Sequence, residues 1–208
     1  MKLAILTSPN QWFESYADDL AERLGGVSIY TNHKQIKQSY DVLFILSYHR
    51  LLEEYYLKLN KHNIVIHASD LPQGKGWAPL FWQVLEGKHE ITFTIFEASS
   101  GADNGDIYFQ KNLFLTGYEL NEELRQKQAK LTIQMCLEFV ETYPSYLPAK
   151  KQRGEESFYP KRPPEDSKLD INKTIKEQFN LLRIVNNQEY PAFFEINGRK
   201  YKLTIERN

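Results

Sequence analysis

The stretch NIVIHASDLPQGKGWAP, residues 63 to 79, holds the chemistry-bearing side chain that most needs explaining. Ile64, Val65 and Ile66 form an apolar run that a strand would bury, and His67 ends it. A buried imidazole requires partners or a task, and histidine is the side chain whose ordinary pKa suits proton transfer near neutrality. Just downstream, Gly74 and Gly76 bracket Lys75 and let a ligand come close to the backbone. His33, His49, His62 and His89 read by default as surface or loop histidines. The sequence carries no metal-spaced His/Cys cluster, no P-loop, no G-x-G-x-x-G and no defensible Ser-His-Asp order, so no metal ligands are assigned. Met135 and Cys136 lie within an apolar helical stripe and read as packing.

The elements that must position His67 follow an alternating pattern. KLAIL reads as a strand, and SPNQWFESYADDLAERLGG as a helix capped by Ser8, with Pro9 in its first turn, Gln11 completing a capping box, and Gly25 and Gly26 ending it. VSIYT and DVLFILS are further short strands, followed by a helix in LLEEYYLKL, a strand in NIVIH, a helix in WAPLFWQVLEG ended by Gly87, and a strand in EITFTIFE. Near-continuous apolar strands separated by helices imply an α/β, doubly covered and mostly parallel sheet. In such sheets sites gather where strands end at their carboxyl edge, which is where His67 lies.

Asn121 can cap a helix running to about Tyr143, with Leu124, Leu131, Met135, Phe139 and Val140 as its apolar stripe. YPSYLPAKKQRGEESFYPKRPPED then breaks periodicity and reads as an extended segment over the surface. INKTIKEQFNLLRIV reads as an amphipathic helix, and YPAFFEINGRKYKLTIER as a hairpin turning at Asn197-Gly198. Pairing outward from that turn sets Glu195 opposite Lys200, Phe194 opposite Tyr201 and Ala192 opposite Leu203. The expected organisation is a catalytic domain over 1–143, a Pro-rich connection over 144–170, and a small helix-plus-hairpin appendage over 171–208.

The 26 basic residues nearly cancel the 27 acidic ones, leaving a net charge of -1 and no global field for nucleic acid or anionic membrane. Cys136 is the single cysteine, the first residues have too short an apolar run for a signal peptide, and no run reaches membrane-spanning length. The expectation is a cytoplasmic protein with neither a nucleic-acid nor a membrane partner.

The segment IHASDLPQGKGWAPLFWQVLEGKHEITFTIFEASSGADNGDIYFQK resembles the folate-dependent formyltransferases. In that family a strand ends in Asn-x-His, followed by x-Ser-x-Leu-Pro, a glycine loop and, one strand later, Asp-x-Gly before an apolar pair. The matching positions are His67, Ser69, Leu71 and Pro72, then Gly74, Gly76 and Pro79, then Asp103, Gly105 and Ile107. The resemblance implies a Rossmann-like fold and an enzyme moving a formyl group from 10-formyltetrahydrofolate to a primary amine through a tetrahedral oxyanion. Asp103 would orient and charge-tune His67, which would donate to the oxyanion or take a proton from the amine. Without the motif, His67 packing under a loop and Asp103 capping a turn is the alternative reading. The family asparagine two residues before the histidine is here Val65, which has no donor, and Asn63 lies a further two residues upstream. A non-catalytic homologue that binds folate or a nucleotide sugar is therefore an alternative.

By the same resemblance, LSYHRLL matches the segment whose backbone holds the pterin, placing Tyr48, His49, Arg50 and Leu52 at the co-substrate, with Ser99, Gly101 and Ala102 closing its other side. Among the family's branches, ILTSPNQW lacks the glycine-rich phosphate loop of glycinamide ribonucleotide formyltransferases, and the near-neutral charge leaves no basic surplus for the RNA grip of methionyl-tRNA formyltransferases. GKGWAP, WQVLEG and the tail from YPKRPPED onward resemble the branch acting on nucleotide-linked amino-dideoxy sugars in surface-glycan synthesis. For a nucleoside-diphosphate amino sugar, Trp77, Phe158 and Tyr159 could stack on the base, and Lys75, Lys161 and Arg162 could meet the phosphates. An apolar face on the last hairpin would suit a homodimer.

Overall fold

The computed structural model describes residues 1–208. Strands β1 (Leu3–Leu6), β2 (Ser28–Tyr30), β3 (Val42–Ile45), β4 (His62–His67), β6 (Glu90–Glu97) and β7 (Ile107–Phe114) form one sheet in the order β2-β1-β3-β4-β6-β7. The first four pair in parallel, and β6 and β7 are antiparallel to their neighbours. The sheet is therefore α/β and mostly parallel, as the alternating pattern implies. Because β1 lies between β2 and β3, the chain reverses its direction of travel across the sheet there, opening a crevice at the carboxyl ends of β1 and β3 beside the end of β4.

One face is covered by α1 (Glu14–Arg23), α3 (Pro79–Leu85) and the long α4 (Asn121–Thr142), whose Phe13-to-Leu20, Leu80-to-Val84 and Leu124-to-Phe139 apolar positions bury against Ile5, Phe44, Ile64 and Phe93. The opposite face has a thinner cover, with Ile36, Tyr40 and Leu59 of α2 (Glu54–Leu59) over Leu6, Leu43 and Ile45. Val65 belongs to this thin side. Strand alternation puts His67 on that side as well.

Asn121 is the first residue of α4 and not its cap, the Leu120 amide being met by Glu123 Oε2 at 2.8 Å, and three further elements differ from the sequence reading. Ser8 does not cap α1, which begins at Glu14. The Ser8 side chain is fully buried at the sheet edge and accepts from the His49 amide at 3.1 Å, while the Asn10 N–H donates to Glu14 Oε2 at 2.8 Å at the helix entrance. In the segment 171–185 the helix begins only at Lys176, as a 3₁₀ turn (Lys176–Gln178) running into the short α5 (Phe179–Ile184), because Asp170 and Thr174 bind nearby groups and hold the first residues in turns. β7 has no counterpart among the strands read from sequence, since Gln110, Lys111 and Asn112 break its apolar run.

The final hairpin, β9 (Ala192–Ile196) and β10 (Arg199–Leu203), has the register read from its turn, with Phe194 and Tyr201 stacked at 5.5 Å. The chain between α4 and α5 lies against the loop after β4: β8 (Phe158–Tyr159) pairs in parallel with β5 (Lys75–Gly76). No helix is long and apolar enough to cross a membrane.

Candidate active site

His67 ends β4 with 9% of its surface exposed. Its Nε2 lies 2.9 Å from the Gly74 carbonyl and 3.7 Å from Asp103 Oδ2. Both neighbours are acceptors, so the neutral ring carries its proton on Nε2. Nδ1 is then the lone-pair nitrogen left for chemistry. Asp103 is brought to His67 by a loop that folds back after β6. Asp103 itself sits at φ 54, and Gly105 lies so close to Glu97 that a Cβ there would fall 1.4 Å from the Glu97 carbonyl. The Gly76 amide donates to Asp103 Oδ2 at 2.9 Å, which fixes the carboxylate from the opposite loop. Gly76 has φ +95, and a Cβ there would meet the Tyr159 carbonyl at 2.6 Å, so β8 can close down only over glycine.

Segment 150–159 binds the Asp103 loop and the loop after β4 at once, a role that the expected surface connection did not include. Gln152 donates from Nε2 to the carbonyls of Asp103 at 2.7 Å and Gly105 at 2.8 Å. On the other loop, Gly74 donates to Ser157 Oγ at 2.8 Å and Lys75 donates from its amide to the Ser157 carbonyl at 2.9 Å. A lone glutamine in a charged, proline-rich stretch carries no sequence signal for this role.

Lys75 requires a correction. Its side chain is 1% exposed and its ammonium is bonded to Asn104 Oδ1 at 2.5 Å and Glu156 Oε1 at 2.6 Å. It joins the two loops internally and is not available to a phosphate. Tyr159 is also engaged elsewhere, stacked on Trp82 at 5.8 Å with its hydroxyl donating to Glu86 at 2.7 Å, and Phe158 is exposed over Lys75. Neither lines the main cavity. Burial and the Glu86 bond push the Tyr159 phenol well above its ordinary value.

Trp77, Lys161 and Arg162 do come together. They line a cavity of about 950 Å³ that opens between the loop after β1, the start of α4 and the chain beyond β8. Lys161 sits over Trp77 at 5.1 Å, and Arg162 lies 5.9 Å from the Trp82 ring. The sequence reading missed Asn10, Trp12, Arg125 and Tyr190, which line the same cavity; aromatic and cationic residues this far apart in sequence give no local pattern.

On the thin side of the sheet, Tyr48 and Leu52 pack with Val65 and Ala98 into one half-buried apolar wall. Tyr48 is positioned by His33, whose Nδ1 accepts from the phenol at 2.6 Å while Nε2 lies 2.8 Å from Glu53. His33 is therefore buried, not a surface histidine. His49 and Arg50 are exposed at the rim, as are Ser99, Gly101 and Ala102 across from them. A flat, largely apolar ring with polar edges fits between such a wall and exposed loop backbone. Asn63 is unavailable to it: its amide donates to the Leu57 carbonyl at 2.8 Å and accepts from Asn60 at 3.0 Å.

Comparison with known proteins bears on this arrangement. Residues 6–140 match the family described as formyl transferase. The chain belongs to this formyl transferase family. It is 28% identical over 165 residues to methionyl-tRNA formyltransferase from Ehrlichia ruminantium, covering 78% of this chain and 52% of that protein. The chain thus spans about half the length of the curated relatives it matches. Among solved structures, methionyl-tRNA formyltransferase from Clostridium thermocellum superposes with a TM-score of 0.80 at 21% identity, over 96% of this chain and 90% of that one. A sugar N-formyltransferase from Shewanella gives 0.68 at 15%, over 100% and 98%. HypX from Aquifex aeolicus in complex with tetrahydrofolic acid gives 0.75 at 16%, over 96% and 36%. These structural likenesses establish the formyltransferase fold, a Rossmann-like α/β sheet.

Proposed function

We propose that this formyl transferase family member transfers a formyl group from 10-formyltetrahydrofolate to the primary amine of a nucleoside-diphosphate amino-dideoxy sugar, a step in surface-glycan biosynthesis. The cavity lined by Trp77, which follows directly on the loop that holds Asp103, carries the acceptor assignment. Gly76 holds Asp103 through its amide, and the next residue, Trp77, already lines a space of about 950 Å³ furnished with aromatic rings, Lys161 and Arg162. That volume and lining suit a ligand with a base to stack and phosphates to neutralise. The folate belongs on the other side of His67, against Tyr48, Leu52 and Val65.

The folate supplies an activated formyl group. His67 Nδ1 accepts the proton that the attacking amine must lose and returns it to the departing nitrogen, while Asp103 stabilises the imidazolium formed between these events. The oxygen that becomes negative lacks the donor that an asparagine at Val65 would give; the charged imidazole and loop amides are the donors at hand. In this reading residues 1–143 form the catalytic unit, and the chain beyond it, which contributes Lys161, Arg162 and Tyr190, closes the acceptor cavity.

A second reading, formylation of methionyl-tRNA, is favoured by the Ehrlichia ruminantium relative. The two are separated by incubating the protein with 10-formyltetrahydrofolate and a panel of nucleotide amino sugars, methionyl-tRNA and glycinamide ribonucleotide. Tetrahydrofolate release is followed together with formamide formation. The expected result is turnover with at least one nucleotide sugar. Turnover confined to methionyl-tRNA or glycinamide ribonucleotide overturns the assignment, and binding of folate and sugar with no turnover identifies a non-catalytic homologue.

A further inference from the structure

We infer that Arg125, in the first turns of α4, is the residue that grips the diphosphate of the acceptor, an assignment that rests on the nucleotide-sugar reading of the cavity. Its guanidinium is held between two aromatic rings, 4.6 Å from Trp12 and 4.2 Å from Phe81, and it lines the cavity. Sandwiched in this way, the planar fork is fixed before any ligand arrives. Its hydrogen bond is to a neutral group, Nη1 to Gln128 Oε1 at 3.0 Å, and no carboxylate lies within ion-pair distance. The two fully buried cations in this chain, by contrast, have anionic partners: Arg183 has Glu119 and Lys75 has Glu156. A partly desolvated cation with spare donors and no counter-ion is costly unless an anion completes it.

A second guanidinium shares the cavity in a similar state. Arg162 donates from Nη2 to the Asp166 carbonyl at 2.9 Å, and its Nε is buried with no partner. Two guanidinium forks lining one space, neither paired with a carboxylate, match the several oxygens of a diphosphate better than a single carboxylate does. Burial lowers the ordinary guanidinium value of both, but Arg125 falls only to about 9 and stays cationic at neutral pH. Glu122 and Glu189 also line the cavity, and Glu189 is close enough to favour the Arg125 charge.

The test compares the wild-type chain with Arg125→Met, which keeps an apolar stem between the rings, and Arg125→Lys, which keeps the charge without the fork. Binding of UDP and dTDP is measured by calorimetry, with uridine and thymidine as phosphate-free controls; folate binding and the melting temperature report folding. The expected result is that Arg125→Met loses about ten- to a hundredfold in diphosphate affinity, approaching that of the nucleoside, with Arg125→Lys intermediate and folate binding unchanged. Diphosphate affinity unchanged in Arg125→Met overturns the assignment and leaves the nucleotide-sugar reading standing. Failure of the wild-type chain to bind either nucleotide overturns both.

Discussion

Asp103 approaches His67 from a left-handed backbone position, its Oδ2 3.7 Å from the imidazole Nε2 and held there by the Gly76 amide at 2.9 Å. The carboxylate thus has one structural bond and one electrostatic partner, and the two can be separated. Asp103→Asn keeps an oxygen for the Gly76 amide and removes the charge. The expected outcome is a folded protein whose kcat falls about a hundredfold or more, with folate binding retained. His67→Ala should abolish measurable transfer and also leave folate binding intact. Single-turnover rates and folate calorimetry check both, and wild-type turnover in either variant would remove that residue from the mechanism.

Gln152 touches no residue side chain at the reacting centre, yet it bonds the carbonyls on both sides of Asn104. Gln152→Leu leaves two inward-facing carbonyls without that donor and frees the Asp103 loop. The expected outcome is a fall in kcat of about tenfold with little change in the KM for either substrate, and Gln152→Glu should not rescue it, since a carboxylate cannot donate. A shift confined to KM would show that segment 150–159 acts on binding and not on the position of Asp103.

The legible part of the site was what a local pattern records. His67 at a strand end, Asp103 two residues before a glycine, and the Asn197-Gly198 hairpin each follow from short-range geometry, and the structure has all three in place. What escaped was long-range pairing. Lys75 looked free because its partner Glu156 lies beyond four intervening elements, and Arg125 gave no signal because Trp12, just before α1, and Phe81, in α3, reach it from distant parts of the chain. Charges and aromatics separated by such distances show no periodicity. The failed Ser8 cap has a different cause: a buried strand-end hydroxyl was better satisfied by the His49 amide than by a helix starting six residues on.

Val65 occupies the strand position next to His67 on the same face and, like Tyr48, Leu52 and Ala98, is half-buried against the small core of Leu6, Leu43 and Ile45. Val65→Asn introduces an amide where the developing negative oxygen is expected. One oxyanion donor is worth about 3 kcal/mol in other enzymes, so an increase in kcat of up to about a hundredfold is expected, partly offset by a small loss of stability in the apolar wall. An unchanged rate with folate still bound would mean that the imidazolium or a loop amide already fills this role.

Arg183 in α5 is tied to the turn before α4 by a buried ion pair with Glu119, and its strength should depend on pH in a defined sense. Arg183, 1% exposed, donates from Nε to the Glu119 carbonyl at 3.1 Å and from Nη2 to the Glu119 carboxylate at 3.2 Å. The same carboxylate accepts from Lys127 at 2.7 Å and from the amides of Thr116 and Gly117. Burial alone would raise the Glu119 pKa, but the Lys127 ammonium and these amides outweigh it and hold the group well below the usual carboxylate range. A folded-state value below the unfolded one means that the native state binds fewer protons, so the contribution is fully present above about pH 4.3 and is lost as pH falls toward the folded value. Glu119→Gln leaves Arg183 buried without its anion and is expected to cost about 3–5 kcal/mol at pH 7. Urea midpoints at pH 7, 4 and 3 measure it: the gap between wild type and Glu119→Gln should narrow as pH falls below about 4.3, and a gap that widened or stayed constant would show that the carboxylate's charge does not hold this junction.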